Sequence, residues 1–238
     1  MRTETLEYKD GDVTLKGYLA LDDQSDHKRP GILVMPEAFG LGKHAKERAQ
    51  RLAALGYVAL AADPYGDGLE VTDLQEAVKY AGAIRETAEK FRQRGRAALD
   101  TLAGLPQVDA DRLAMIGFCM GGSFSLELAR DGAPLCGIVS FHGALETDKP
   151  AQAGQVKAKI LVCHGADDPF VPPEHVNAFQ EEMTKAGANW QVISYGGTVH
   201  SFTNPDAAAA GMDGIAYHAQ TDRRSWKAMR DFFDEIFA

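Results

Sequence analysis

The chain has 238 residues, 45% of them hydrophobic and 25% charged, and its 25 Lys and Arg against 34 Asp and Glu give a formal charge of −9. These are ordinary globular values, which exclude wholesale disorder, and a compact chain of this length buries roughly 70% or more of its unfolded surface without staples. The acidic balance argues against a nucleic-acid backbone as partner, since that needs a basic face, but allows a small anionic substrate in a locally positive pocket.

In chain order, Thr5–Tyr8 and Val13–Leu21 flank Asp10-Gly11, a two-residue turn signal, and predict an antiparallel hairpin. After a charged loop over 22–29, Gly31–Met35 is a short, fully apolar run of the kind buried on both faces of a sheet. A helix follows over Lys43–Leu55, closed by Gly56, and then a strand over Tyr57–Ala62. Asp73 is placed to cap a helix carrying Leu74, Ala77, Val78 and Ala81, and a second helix runs from about Glu86 to Leu105. The alternation continues with strand Arg112–Ile116, helix Gly121–Arg130 and strand Cys136–Phe141. A loop over 143–156 leads to strand Lys159–Cys163, helix Glu174–Ala186, strand Trp190–Ser194 and a last helix over Asp222–Phe237.

Strand–helix alternation predicts an α/β fold, a mostly parallel sheet covered by helices, with the N-terminal hairpin at one edge. No repeat or linker divides the chain, so residues 1–238 are expected to form one domain. No apolar run approaches the roughly 18 residues of a membrane span, and the N-terminus lacks a signal-peptide core. Cys119, Cys136 and Cys163 form neither a CxxC nor an even framework, which fits a reducing, cytoplasmic setting.

The chemistry concentrates at Gly117-Phe118-Cys119-Met120-Gly121-Gly122, directly after a predicted strand and opening a helix. This is the G-x-nucleophile-x-G turn with Cys in place of the commoner Ser. The turn lifts the nucleophile above the C-terminal sheet edge and sets it at a helix N-terminus, where the dipole favours thiolate. Cys136 and Cys163 fall in or beside strands and are expected to be inert. A nucleophile of this kind needs a base and an orienting acid later in the chain. His200, in a loop between the last strand and the last helix, is placed to reach the turn. His142 and His164, both at strand ends, are expected to be packed lining, and His27, His44, His175 and His218 solvated. Asp167 and Asp168 both suit the acid, and one of them must point away.

Together, Met35-Pro36-Glu37-Ala38-Phe39-Gly40, Asp63-Pro64-Tyr65, Gly117–Gly122, Gly165–Pro172 and His200-Ser201-Phe202 resemble the dienelactone hydrolase family of the α/β-hydrolase superfamily. The resemblance covers most of the chain. It implies hydrolysis of small-molecule esters or lactones through a Cys-His-Asp triad, without metal or organic cofactor. Its register against Phe170-Val171-Pro172 selects Asp168. It implies a thiol-modulating role for Glu37 and an oxyanion hole from the backbone N–H groups of Ala38 and Met120. Ser201 matches a position that assists substrate binding, and Arg85 is a candidate for the arginine that holds a substrate carboxylate. One departure stands out: where dienelactone-cleaving members carry an arginine four residues after the catalytic His, this chain has Asn204, which removes the usual resting partner of Glu37.

Two other readings remain. Gly40-Leu41-Gly42 opens a helix and Asp63 lies about twenty residues on, the outline of an NAD(P)-binding fingerprint. However, Pro36–Phe39 separate the first glycine from the strand. The other is a non-catalytic redox or ligand-binding protein that uses Cys119 as a reactive thiol. A monomer or small homo-oligomer is expected.

Overall fold

The structure is a computed structural model that describes residues 1–23 and 27–238, so the middle of the charged loop over 22–29 lies outside the described residues. Strands β1 (Arg2–Asp10) and β2 (Val13–Leu21) form the predicted hairpin, with Asp10 opposite Val13. Gly11 sits at φ +57°, the left-handed backbone that such a turn demands. Strand β1 starts three residues before the predicted one. Its outer residues are solvated on an edge, so pairing with β2 extends it where no hydrophobic pattern marks it.

The remaining strands are β3 (Arg29–Met35), β4 (Val58–Ala61), β5 (Val108–Phe118), β6 (Gly137–Phe141), β7 (Lys159–Gly165) and β8 (Trp190–Tyr195). They join the hairpin in one eight-stranded sheet of order β1-β2-β4-β3-β5-β6-β7-β8. β2 meets β4 antiparallel, and every pair from β4 to β8 is parallel. Every residue of β4 and β6 is buried, which is why those segments read as unbroken apolar runs rather than alternating ones. β5 begins earlier than the predicted Arg112. Val108 and Asp109 pair with Arg29 and Pro30, residues 110–112 bulge, and regular pairing resumes at Leu113 opposite Gly31.

Among the described residues six α-helices flank the sheet: α1 (Lys43–Ala53), α2 (Leu74–Ile84), α3 (Ala88–Ala103), α4 (Met120–Arg130), α5 (Pro173–Ala186) and α6 (Ala219–Ile236). Side-chain caps set several boundaries. The Asp73 carboxylate accepts the Glu76 N–H at 2.9 Å, and Thr87 Oγ1 accepts that of Lys90 at 3.2 Å. α6 starts three residues before the predicted Asp222 because the His218 ring accepts the Thr221 N–H, a cap outside the usual Ser/Thr/Asp/Asn set. A short 3₁₀ turn over Ala207–Ala210 was not anticipated.

The core has two layers. α1 and α6 bury Leu52, Trp226, Met229 and Phe233 on one sheet face. α3, α4 and α5 bury Phe91, Leu102, Phe124, Leu128, Phe179 and Met183 on the other. At about 1.5–3 kcal/mol for each such side chain, these layers fix where the strands end. A buried ion network adds direction. Arg130, wholly inside, holds Glu127 at 2.9 Å, Glu182 at 2.8 Å and the Leu145 carbonyl at 2.6 Å. It thereby ties α4 and α5 to the loop after β6. The loops after the parallel strands gather at one sheet edge, where sites form in this architecture. Among the described residues no helix is long and apolar enough to cross a membrane.

Candidate active site

Cys119 stands between β5 and α4 with φ 52° and ψ −116°, a conformation L-residues rarely adopt. The glycines around it explain why the strain persists. A Cβ on Gly117 would lie 1.8 Å from the Gly121 carbonyl oxygen, and one on Gly121 2.2 Å from that of Met35. A Cβ on Gly122 would lie 2.5 Å from Ser140 Oγ. Strand, turn and helix therefore interlock only without side chains at these places. The Cys119 N–H donates to Phe141 O and to His142 Nδ1, both at 3.0 Å. α4 begins at Met120, so the first N–H groups of the helix face the region of the thiol without intrahelical partners.

His200 reaches Cys119 from the loop after β8. That loop is pinned to the loop after β7: Ala166 N–H donates to Tyr195 O at 2.9 Å and Asp167 N–H to Thr198 O at 3.0 Å. Gly165 permits the approach, because a Cβ there would meet the Thr198 carbonyl at 2.6 Å. Asp168 is buried and its Oδ2 accepts the His200 Nδ1–H at 2.7 Å, while its Oδ1 takes the Phe170 N–H at 2.9 Å. Asp167 is exposed. Burial alone would lower the His200 pKa, but Cys119 and Asp168 outweigh it and push it up to about 10. Cys119 and Asp168 thus both favour the charged form of His200.

Glu37 is buried, and burial raises its pKa against the hydrogen bonds from Asn204 and Ser201 that lower it. Asn204 Nδ2 donates to Glu37 Oε2 at 2.6 Å. The expectation that the Asn204 position leaves Glu37 without a resting partner is corrected: a neutral amide takes the place of the arginine. Glu37 does not cap α1, whose N-cap, Gly42, makes no side-chain bond. Ser201 joins Cys119 and His142 (φ 41°) in carrying positive φ at the site, at 54°. Tyr65 OH donates to the Ala38 carbonyl at 2.6 Å, holding the loop that carries Ala38.

Behind the triad, His142 is packed lining as expected, whereas His44, expected to be solvated, has its side chain only 10% exposed. Arg48 Nε donates to its Nε2 at 3.2 Å, and burial and Arg48 lower its pKa to about 3. His142 is fully enclosed; its Nε2–H donates to Thr203 Oγ1 at 2.8 Å and its ring packs edge-on against His200 with centroids 5.2 Å apart. Burial and the His200 cation hold it neutral, its pKa well below the usual value. His175, also expected to be solvated, lies 3.3 Å from Glu146. No periodicity marks such residues, because most of their partners come from other elements: His142 meets Thr203 across 61 positions and His44 meets the Thr203 carbonyl across 159.

The cleft above Cys119 has a volume of about 700 Å³. Its polar side carries Glu37, His200 and Ser201, and α2 supplies an apolar wall of Leu74, Ala77, Val78 and Ala81. Phe170 and Met212 complete the apolar rim, and Arg85, exposed at the end of α2, stands at the edge. The dinucleotide reading finds its two key features engaged elsewhere. Asp63 accepts four backbone N–H groups, from Lys16, Tyr65, Gly66 and Gly68, at 2.6–3.0 Å. The Glu70 carboxylate lies 2.9 Å from where a Cβ on Gly42 would be, so an acidic group already crowds the start of α1. Among the described residues no group of three His, Cys, Asp or Glu is arranged to hold a metal ion.

A sheet of this order with these loops at its edge is an α/β-hydrolase, an enzyme acting on ester or lactone bonds. The chain belongs to the dienelactone hydrolase family, which it matches over residues 15–237. It is 48% identical to a solved structure named m3DLH, with TM-score 0.94, covering 100% of this chain and 99% of that one. It is 44% identical, again with TM-score 0.94, to a dienelactone hydrolase-like promiscuous phosphotriesterase from metagenomic libraries, covering 99% and 98%. A Caenorhabditis elegans protein of uncharacterised function is 38% identical over 63% of this chain and 96% of its own length. An Escherichia coli protein named "Putative carboxymethylenebutenolidase" is 28% identical over 93% of this chain and 82% of its own.

Proposed function

We propose that this protein hydrolyses small-molecule esters or lactones with Cys119 as nucleophile, through a thioester. The observation that carries the reading is the unbroken chain from strained Cys119 to His200 to buried Asp168. The Cys119 thiolate attacks the carbonyl carbon while the Ala38 and Met120 N–H groups hold the developing oxyanion. The His200 imidazolium gives its proton to the leaving oxygen, and Asp168 keeps the ring in the tautomer that can do so. Water then bonds to the acyl carbon, His200 takes its proton, and the C–S bond breaks. Glu37, close enough to His200 for their charges to interact, modulates the thiol. The apolar α2 wall suits a hydrophobic acyl group, and Arg85 and Ser201 are placed to meet a substrate carboxylate at the cleft edge.

The test is a panel of p-nitrophenyl esters of graded chain length, beside a carboxylate-bearing lactone, on wild type and Cys119→Ala. Cys119→Ala is expected to fold normally and lose on the order of 10³-fold or more in kcat/KM. Retention of more than about a tenth of wild-type activity removes Cys119 from the role. Arg85→Ala is expected to raise KM for the carboxylate-bearing substrate and leave neutral esters unchanged. An aryl dialkyl phosphotriester belongs in the same panel, since 44% identity to a solved promiscuous phosphotriesterase favours that second substrate class.

A further inference from the structure

A second chamber, of about 280 Å³, adjoins the catalytic cleft. The two share Glu37, Phe39, Ser201 and Ile215 as a common wall. Elsewhere the chamber is bounded by the start of α1, by Thr72 and by the turn over Ala207–Ala210. Cys119 and His200 line the cleft and not the chamber. Inside the shared wall, Glu37 Oε1 is buried without a hydrogen-bond partner, and so is His44 Nδ1 at the chamber's edge. A buried carboxylate oxygen with no protein donor is an unusual expense of desolvation, and such atoms are met by water where space allows. The wall is also strained: Ser201, next in sequence to His200, sits at φ 54°.

We propose that this chamber supplies the water that hydrolyses the thioester. The inference rests on the thioester mechanism above and adds the route. An acyl group bonded to Cys119 occupies the cleft and shuts out bulk solvent from the front, while the chamber stays open behind Glu37 and Ser201. Water held against Glu37 passes the wall beside Ser201 to His200. One of its protons goes to His200 Nε2 and its oxygen bonds to the acyl carbon. The tetrahedral species then collapses, the C–S electron pair returns to Cys119 and the carboxylic acid leaves. No oxidant or further reactant is required.

The route predicts a dependence on acyl size. A bulky acyl group needs the rear supply, whereas an acetyl group leaves the front of the cleft wet. Ala210→Leu and Thr72→Leu each fill the chamber from a different side without touching the triad or the shared wall. Stopped-flow release of p-nitrophenol from the acetate and octanoate esters separates acylation, read in the burst, from deacylation, read after it. With octanoate, both variants are expected to keep the wild-type burst rate, lose about fivefold or more in the later rate, and accumulate an octanoyl adduct on Cys119 visible by mass spectrometry. With acetate, the later rate is expected to stay within about twofold of wild type. Where acylation limits the wild type, a burst should appear in the variants alone. Unchanged octanoate turnover, or equal slowing with both esters, overturns the water route while leaving the thioester intact. Turnover with no acyl adduct on Cys119 in any variant overturns the thioester mechanism itself.

Discussion

At Cys119 a short side chain, a strained backbone and a helix start meet, the setting the proposed nucleophile requires. The pair it forms with His200 gives a pH signature. The proposed mechanism starts from a Cys119 thiolate beside a His200 whose pKa Cys119 and Asp168 hold up to about 10. Alkylation by iodoacetamide is therefore expected to be nearly flat from about pH 6.5 to 9, where an ordinary thiol of pKa about 8.5 accelerates close to tenfold per unit on the acid side. Peptide mapping with a pH series separates the two behaviours, and an ordinary rise at Cys119 would remove the ion pair. Glu37→Gln adds a second reading in the same assay. Glu37 is held by Asn204 and Ser201, so the substitution is expected to lower turnover without abolishing it. Unchanged turnover with faster alkylation would mark Glu37 as a brake on the thiolate. The two adjacent aspartates differ only in placement. Asp168→Asn should cost on the order of 10²-fold or more in kcat, because an amide can present the wrong hydrogen-bond partner to His200. Asp167, exposed, should tolerate the same change; comparable losses at both positions would place the acid elsewhere.

At the scale of elements, the turn between β5 and α4 depends on close backbone contact, whereas α2 is an open helix that forms a wall of the cleft. A Cβ on Gly121 meets the Met35 carbonyl, which belongs to the central sheet and cannot give way. Gly121→Ala is expected to destabilise by about 1–3 kcal/mol through overpacking and to lower kcat by about 10²-fold by displacing Cys119. In α2 a Cβ on Gly82 meets nothing within 4 Å, so Gly82→Ala should raise stability by about 0.5–1 kcal/mol. Thermal melts of the two variants check the contrast, and a stable, active Gly121→Ala would refute the interlocked turn.

For the whole molecule, the buried neutral histidines link folding to pH. In the folded chain the pKa of His44 is about 3 and that of His142 lies well below the usual value, both mainly from burial, while unfolding returns each to about 6.5. Between those limits the unfolded chain binds more protons than the folded one. The contribution of these two rings is therefore full above about pH 6.5 and falls as the pH drops towards the folded values, by up to roughly 1.4 kcal/mol per pH unit for each, while His200, raised to about 10, contributes with the opposite sign. Urea titrations at pH 7.5 and 5 should show that loss, and His44→Gln should reduce its slope. A stability profile flat over that interval would mean these rings are not held neutral. Acidification also removes the acceptor that His142 offers to the Cys119 N–H, so the elbow loses a contact as the fold weakens.

What the sequence determined is what neighbouring residues decide among themselves. Continuous apolar runs marked the strands buried on both faces. Asp10-Gly11 set the hairpin, Asp73 the start of α2, and the glycines around Cys119 the only turn they permit. The tertiary structure decided whatever depends on partners distant in the chain. Asp168 rather than Asp167 faces His200 because two loops are pinned together at Gly165 and Thr198. Asn204 serves Glu37 across 167 positions. His44 is enclosed by Phe118, Arg48 and the Thr203 carbonyl, though its place on a helix reads as solvated, whereas His142 at its strand end reads as packed lining but finds its partners, Thr203 and His200, in a distant loop. Local propensity and periodicity record the angles and the solvent face of a segment. They carry no record of which distant side chain will be folded against it, and there desolvation and hydrogen bonding set the charge state on which the chemistry depends.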